Sequence, residues 1–149
     1  MSHRAHAARH QARRLVVQAL YQWQVSGDDP GEVIVQFLDE RDTGSADREY
    51  FRDVMRGITG DAERVDGAIA PLLERSLAMV DPVERAVVRL AAYELLERLE
   101  IPARVVIDEA VELAREFGSE QGHRFVNGLI DRLAHRVRIH EFGPAARSS

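Results

Sequence analysis

The stretch Asp81-Pro82-Val83-Glu84-Arg85-Ala86-Val87-Val88-Arg89-Leu90-Ala91-Ala92-Tyr93-Glu94-Leu95-Leu96-Glu97-Arg98-Leu99 decides the fold class. Asp81 offers an acceptor to the free amides of a first helical turn. Pro82 fits the first helical position, and Glu84 completes a capping box. Beyond the cap, Val83, Ala86, Val87, Val88, Leu90, Ala91, Ala92, Leu95, Leu96 and Leu99 cover most of the helical circumference. A helix apolar nearly all round is a buried one. This segment is the expected central helix, with the other elements arranged about it.

Working outward, the same period recurs on both sides. Ile101-Pro102 closes the central helix and opens another, with Val105, Val106, Ala110, Val111, Leu113, Ala114 and Phe117 inward. Gly118 ends that helix and Ser119 caps the next, whose stripe is Phe125, Val126, Leu129, Ile130, Leu133 and Val137. Gly128 lies inside this last helix, and a close helix–helix approach is the expected compensation for its poor propensity. Upstream, Ala12, Leu15, Val16, Ala19, Leu20 and Trp23 mark an amphipathic helix, with Gly27 and Pro30 at its end. A short helix over Val33–Leu38 follows, then a helix capped by Ser45 with Asp47 and Glu49 in its first turn. Thr59-Gly60-Asp61 interrupts the path to Val65 and Ile69, and Pro71 bends it. No stretch alternates over a strand length, so the chain is expected to be all-α, a helical bundle with short connections.

The 149 residues are 45% apolar and 30% charged, enough for one domain or two small bundles sharing a core. There is no cysteine, which removes disulfides, thiolate metal sites and cysteine nucleophiles. The net charge of −5 is unevenly spread: residues 1–27 carry +4 and the remainder carries −9. A basic arm on an acidic body points to a polyanionic partner for the arm. All twenty basic residues are arginine. That usage fits a compositional bias, yet guanidinium still pairs bidentately with phosphate and stacks on bases. The N-terminus lacks the apolar core of a secretory signal, and no run of about 18 apolar residues exists. A cytoplasmic setting is expected.

Catalytic chemistry finds little support. HExxH, GxSxG, GxGxxG and a Gly-rich phosphate loop are all missing. Acid pairs such as Asp108 with Glu109, and Glu112 with Glu116, read as solvated helix faces. His3, His6 and His10 share a face if the arm is helical, but read as part of a solvated basic arm. No cofactor, no metal and no enzymatic activity are expected. The arm itself, with Arg4, Arg9, Arg13 and Arg14, runs into a helix that presents Tyr21 and Trp23. Arginine supplies phosphate contacts, and an aromatic nearby can stack on an unpaired base. Trp23 falls on the apolar stripe; Tyr21 lies off it and is the better surface candidate.

The segments VQALYQWQ (17–24), YFRDVMRGI (50–58), VERAVVRLAAYEL (83–95), IPARVVIDEAVELAREFG (101–118) and HRFVNGLID (123–131) together resemble the NusB family of transcription antitermination factors, over about residues 9–140. The resemblance implies two packed three-helix bundles and no enzyme. It implies binding of boxA RNA in nascent ribosomal RNA transcripts together with the ribosomal protein NusE, nucleating an antitermination complex on RNA polymerase in the bacterial cytoplasm. The chain is expected to divide into a flexible basic arm (1–11), a single NusB-like helical domain (12–140) and a disordered tail (141–149). The RNA role then falls on Arg9, Arg13 and Arg14, on Tyr21, on the segment Glu120–Phe125 with Gln121, His123, Arg124 and Phe125, and more weakly on Arg104 at a helix start. Phe125 is also on the apolar stripe, so base stacking and core packing compete for it. Asn127 and Gly128 belong to the family signature and are expected to pack. Glu84 is the candidate for the basic partner NusE, with capping as its competing role. Two other readings stay open. One is a protein-only adaptor or self-associating homodimer without direct RNA binding. The other is a NusB-like domain serving an RNA methyltransferase, for which the chain shows no nucleotide-binding βαβ pattern.

Overall fold

The computed structural model describes residues 2–40 and 42–143. Among the described residues there are helices and turns and no strand. The chain divides into two compact units, one reaching to Ala62 and one beginning at Glu63.

In the first unit, α1 (His3–Ser26), α2 (Pro30–Asp39) and α3 (Arg48–Gly60) each pack on the other two. Phe37 of α2 stacks on Phe51 of α3 with ring centroids 6.1 Å apart, and Val16, Leu20, Val54, Met55 and Ile58 are buried with them. Burying each such side chain contributes about 1.5–3 kcal/mol. α1 ends where Gly27 takes φ +73°, in the left-handed region, and returns its N–H to the Trp23 carbonyl at 3.1 Å. α3 is capped by Asp47, whose carboxylate accepts from the Tyr50 N–H at 3.0 Å, and not by Ser45 as its sequence suggests.

The first helix also begins earlier than expected, at His3, inside the stretch read as a flexible arm. Ser2 Oγ accepts from the Ala5 N–H at 3.1 Å, and Ala5, Ala7 and Ala8 are strong helix formers. The Asp47 N–H then donates to the Ala8 carbonyl at 2.9 Å, which ties the arm to the start of α3. Capping, propensity and this tether outweigh the mutual repulsion of the arginines.

The second unit holds α4 (Ala62–Ile69), whose first residue is the last of the first unit, and α5 (Pro82–Glu97), α6 (Ala103–Phe117) and α7 (Glu120–Val137). Residues 70–81 link α4 to α5, the other connections are short, and α5, α6 and α7 each pack on the other two. Pro71 ends α4 at Ile69 and leaves a 3-10 turn, Ala70–Leu72. Arg89 clasps Asp66 through Nε (2.9 Å) and Nη2 (2.8 Å), and Arg64 pairs with Glu97 at 2.7 Å. These two ion pairs tie α4 to α5. Asp81 caps α5 through the amides of Val83 and Glu84. The bulk of α5 is buried as expected, although the helix stops at Glu97 and leaves Leu99 69% exposed. Val105 and Val137, expected inward, are exposed near their helix ends.

A buried arginine closes this unit. Arg138, just past α7, donates through Nε to the Leu95 carbonyl (2.8 Å), through Nη1 to that of Ile101 (2.9 Å), and through Nη2 to those of Glu94 (3.2 Å) and Arg98 (3.0 Å). Nη1 also pairs with Glu141, whose other carboxylate oxygen accepts from the Ala103 N–H at 2.8 Å. One side chain thus bridges the end of α5 and the turn to α6. The Glu94 and Arg98 carbonyls also accept from the backbone N–H groups of Arg98 and Ile101, while no backbone donor is seen among the described residues for those of Leu95 and Ile101. These bonds, and the stacking of Phe142 on His135 at 3.8 Å, order residues 141–143, where a disordered tail is expected from sequence. The rest of that expectation, residues 144–149, lies outside the described residues.

Candidate nucleic-acid interface

The arginines of α1 are sorted by helical phase. Arg13 precedes Val16, Val17 and Leu20 by three, four and seven residues, the spacing of one helix face. All three are buried, and Arg13 is buried with them, only 3% exposed. A phosphate contact expected of Arg13 is therefore not open to it in this conformation. Arg9, one turn earlier on the same face, is half-buried. Its guanidinium lies 4.3 Å from the centroid of the Tyr50 ring, and that of Arg13 lies 5.9 Å away. A desolvated cation–π contact of this kind contributes about 2 kcal/mol. Tyr50, which sequence reasoning assigned no role, is thus the platform on which the arm's arginines rest. Arg9 Nε is buried without a hydrogen-bond partner, so its guanidinium keeps unused donor capacity. Arg14 points elsewhere: it donates to Gln11 Oε1 at 2.8 Å, in a groove lined by Gln11, Arg14, Leu15, Gln18, Asp42 and Thr43. Tyr21 is 42% exposed, as a surface role requires, and Trp23 is half-buried.

In the second unit, α7 begins under the cap of Ser119, whose Oγ accepts from the Gly122 N–H at 3.1 Å. Gln121 and Arg124 are exposed, while His123 and Phe125 are half-buried. Phe125 thus keeps part of its ring on the surface, with the fully buried stripe starting at Val126. His123 Nδ1 is buried without a hydrogen-bond partner, the Glu120 carboxylate standing 3.6 Å away.

Glu84 joins this segment. Its carboxyl does not turn back to close a capping box. It lies over Gly122, where a Cβ would stand 3.0 Å from Glu84 Oε2. A side chain at Gly122 would require that carboxyl to give way by a few tenths of an ångström. Burial and the neighbouring Asp81 push the Glu84 carboxyl above its ordinary range, with Arg75 opposing. Arg104 is not brought together with these residues. It sits in the first turn of α6, about 20 Å along the axis from the α6–α7 connection. The Ala103 amide there is already taken by Glu141.

Asn127 and Gly128 do not pack as expected. Both are exposed, and a Cβ at Gly128 would meet nothing within 4 Å. Its cost to the helix, about 1 kcal/mol relative to Ala, has no compensating close approach among the described residues. The two line a groove of about 670 Å³ between α6 and α7, with Asp108, Val111, Glu112 and Arg115 on one wall and His123 and Arg124 on the other.

Comparison with known proteins follows the same segments. The NusB family model matches residues 10–135. A transcription antitermination protein NusB from Idiomarina loihiensis is 47% identical over 132 residues, covering 89% of this chain and 95% of that protein. The one from Shewanella halifaxensis is 48% identical over 130 residues, covering 87% and 96%. Among solved structures, NusB of T. maritima superposes with a TM-score of 0.75 at 38% identity, covering 84% of this chain and 89% of that one. A crystal structure of the antitermination factors NusB and NusE in complex with dsRNA superposes with a TM-score of 0.74 at 27% identity, covering 85% and 96%.

Proposed function

The chain belongs to the NusB family, and from that premise we propose that it is a transcription antitermination factor that binds boxA RNA of nascent ribosomal RNA transcripts together with NusE, and so nucleates the antitermination complex on RNA polymerase. The work is assembly in the bacterial cytoplasm, not catalysis. The observation that carries the RNA part is Arg9 laid on Tyr50 in an acid-free helix that also exposes Tyr21. That helix presents guanidinium to phosphate and an aromatic ring to a base. Arg9 and Arg14 take the phosphate contacts, and Arg13 acts through Tyr50 as a positioning residue. Gln121, His123, Arg124 and Phe125 form the second RNA-facing segment, with the half-exposed Phe125 meeting a base. Arg104 is left as a peripheral contact. Glu84 is the acid offered to NusE.

The test is a titration of boxA RNA and a scrambled RNA of equal length, with and without NusE, at two salt concentrations. Tighter binding of boxA, strengthened by NusE, is expected. Equal binding of the two RNAs would leave a protein-only adaptor. For Glu84, Glu84→Gln is expected to weaken NusE binding; unchanged NusE affinity would return the residue to a purely structural role.

A further inference from the structure

The groove between α6 and α7 contains chemistry that phosphate binding does not use. Asp108 and Glu112 carry negative charge, Arg115 and Arg124 positive, and Asn127 adds an amide. No side-chain hydrogen bond or ion pair joins these five to each other or to another described residue. All four charged groups are exposed, so their hydrogen-bonding capacity is open to a ligand in the groove. Gly128 gives the second indication: an exposed glycine in mid-helix, with open space where its side chain would be, weakens α7 for no reason internal to the fold. A flat ligand lying on the helix backbone at that position supplies the reason.

We propose that this groove holds one guanine base of the bound RNA. The proposal rests on the RNA-binding reading above and names what that surface reads. The groove continues the RNA-facing segment by one helical turn, from Arg124 and Phe125 to Asn127 and Gly128. Carboxylates repel phosphate, so their presence there selects the N–H edge of a base. Guanine is the base that offers two parallel donors, N1–H and the 2-amino group, to a carboxylate while offering O6 and N7 to a guanidinium. Asp108 or Glu112 takes the first edge, and Arg115 or Arg124 takes the second, in the bidentate geometry arginine favours. Gly128 places no side chain in the way of the ring, and its carbonyl is already used by Arg132 Nε at 3.2 Å.

The experiment uses the full chain with boxA RNA and with copies in which each guanosine in turn is inosine, which lacks only the 2-amino group. One inosine position is expected to weaken wild-type binding about tenfold. The Asp108→Asn, Glu112→Gln double variant should bind the unmodified RNA at that weaker level and no longer distinguish inosine. Gly128→Met should keep or raise Tm while weakening RNA binding, with the salt dependence unchanged. Inosine tolerated at every position, or wild-type RNA affinity in Gly128→Met, overturns the proposal while leaving RNA binding itself intact. Loss of NusE binding alone in Gly128→Met also overturns it and gives the groove to a protein. A wild-type chain that does not bind boxA removes both readings together.

Discussion

Replacing Arg138 with Ala tests the closure of the second unit most directly. The guanidinium has five N–H donors in a fixed fork, and the structure gives each a partner: four carbonyls at 2.8–3.2 Å and the Glu141 carboxylate. Hydrogen bonds to a charged donor contribute about 1.5–3 kcal/mol each in isolation, but these share one side chain and are not additive. Removing one partner of a buried ionic cluster typically costs about 3–5 kcal/mol. Here the Leu95 and Ile101 carbonyls and Glu141 lose their guanidinium donor, while the Glu94 and Arg98 carbonyls keep a backbone N–H. For a chain of this size each 1 kcal/mol shifts Tm by roughly 2–4 °C. Arg138→Ala is therefore expected to lower Tm by about 6–20 °C, read by circular dichroism on heating and by urea titration. Arg138→Lys should recover less than half of the loss, since three donors on a compact ammonium cannot reach carbonyls placed for a planar fork. A loss below about 1 kcal/mol for Arg138→Ala would show that water serves those carbonyls equally well, and would refute the reasoning. Glu141 gives an independent reading. Its hydrogen bond from Ala103, opposed by desolvation and assisted by Arg138, holds its carboxyl below the ordinary value. The folded form binds that proton more weakly than the unfolded chain does. Its contribution is thus complete above the ordinary carboxylate range and fades as pH falls through the depressed folded value. Glu141→Gln should flatten that part of the acid limb of stability.

Phosphate contacts on α1 are countable through salt. With Arg9 and Arg14 making them and Arg13 buried, Arg9→Ala and Arg14→Ala should each reduce the log–log salt slope of RNA binding by about 0.7. Arg13→Ala should lower Tm and leave the slope alone; a slope change equal to that of Arg9→Ala would mean that α1 rearranges on RNA. Phe125→Ala is expected to lower the preference for boxA over scrambled RNA more than Arg9→Ala does, because base contacts specify and phosphate contacts position. Equal losses on both RNAs would make Phe125 a packing residue only. Gly122→Ala should lower Tm by crowding the Glu84 carboxyl, and Glu84→Ala in the same chain should relieve part of that loss; additive Tm changes would remove the contact. Because the Glu84 carboxyl is raised when folded, its ionisation opposes folding at neutral pH and that cost disappears as pH falls through the raised value. Glu84→Gln should therefore be more stable than wild type near neutrality and lose that advantage in acid.

The sequence made the helices and their stops legible wherever the signal was local. Asp81-Pro82, Gly27 and Ser119 act through their own backbone neighbours, and the structure uses each as the residue types require. What escaped was decided across elements. Asp47 displaces Ser45 as a cap, and it is Asp47 whose backbone also reaches α1. Glu84 had an obvious local role in a capping box, and a glycine thirty-eight positions later draws it away instead. The arm looked mobile because its arginines dominate the eye, while its alanines and serine cap carry the conformational preference. The burial of Arg13 was available from phase alone, since it stands on the Val16–Val17–Leu20 face; residue type suggested solvent and periodicity was right. The openness of Gly128 has no sequence signal, because a helical glycine looks the same whether a neighbour packs on it or nothing does.

The early start of α1 bears on how RNA is recognised thermodynamically. A basic segment that folds only when its ligand arrives removes much backbone and apolar surface from water in that step, and a large negative heat-capacity change records it. Here the segment is helical from His3, tethered at Ala8 and stacked through Arg9 by contacts made within the protein itself. The ordering entropy has been spent in folding the protein, so association draws on a surface already in place. Calorimetry of RNA binding across temperature should then give a nearly level enthalpy, and association rates set by electrostatic encounter instead of by the folding of an arm.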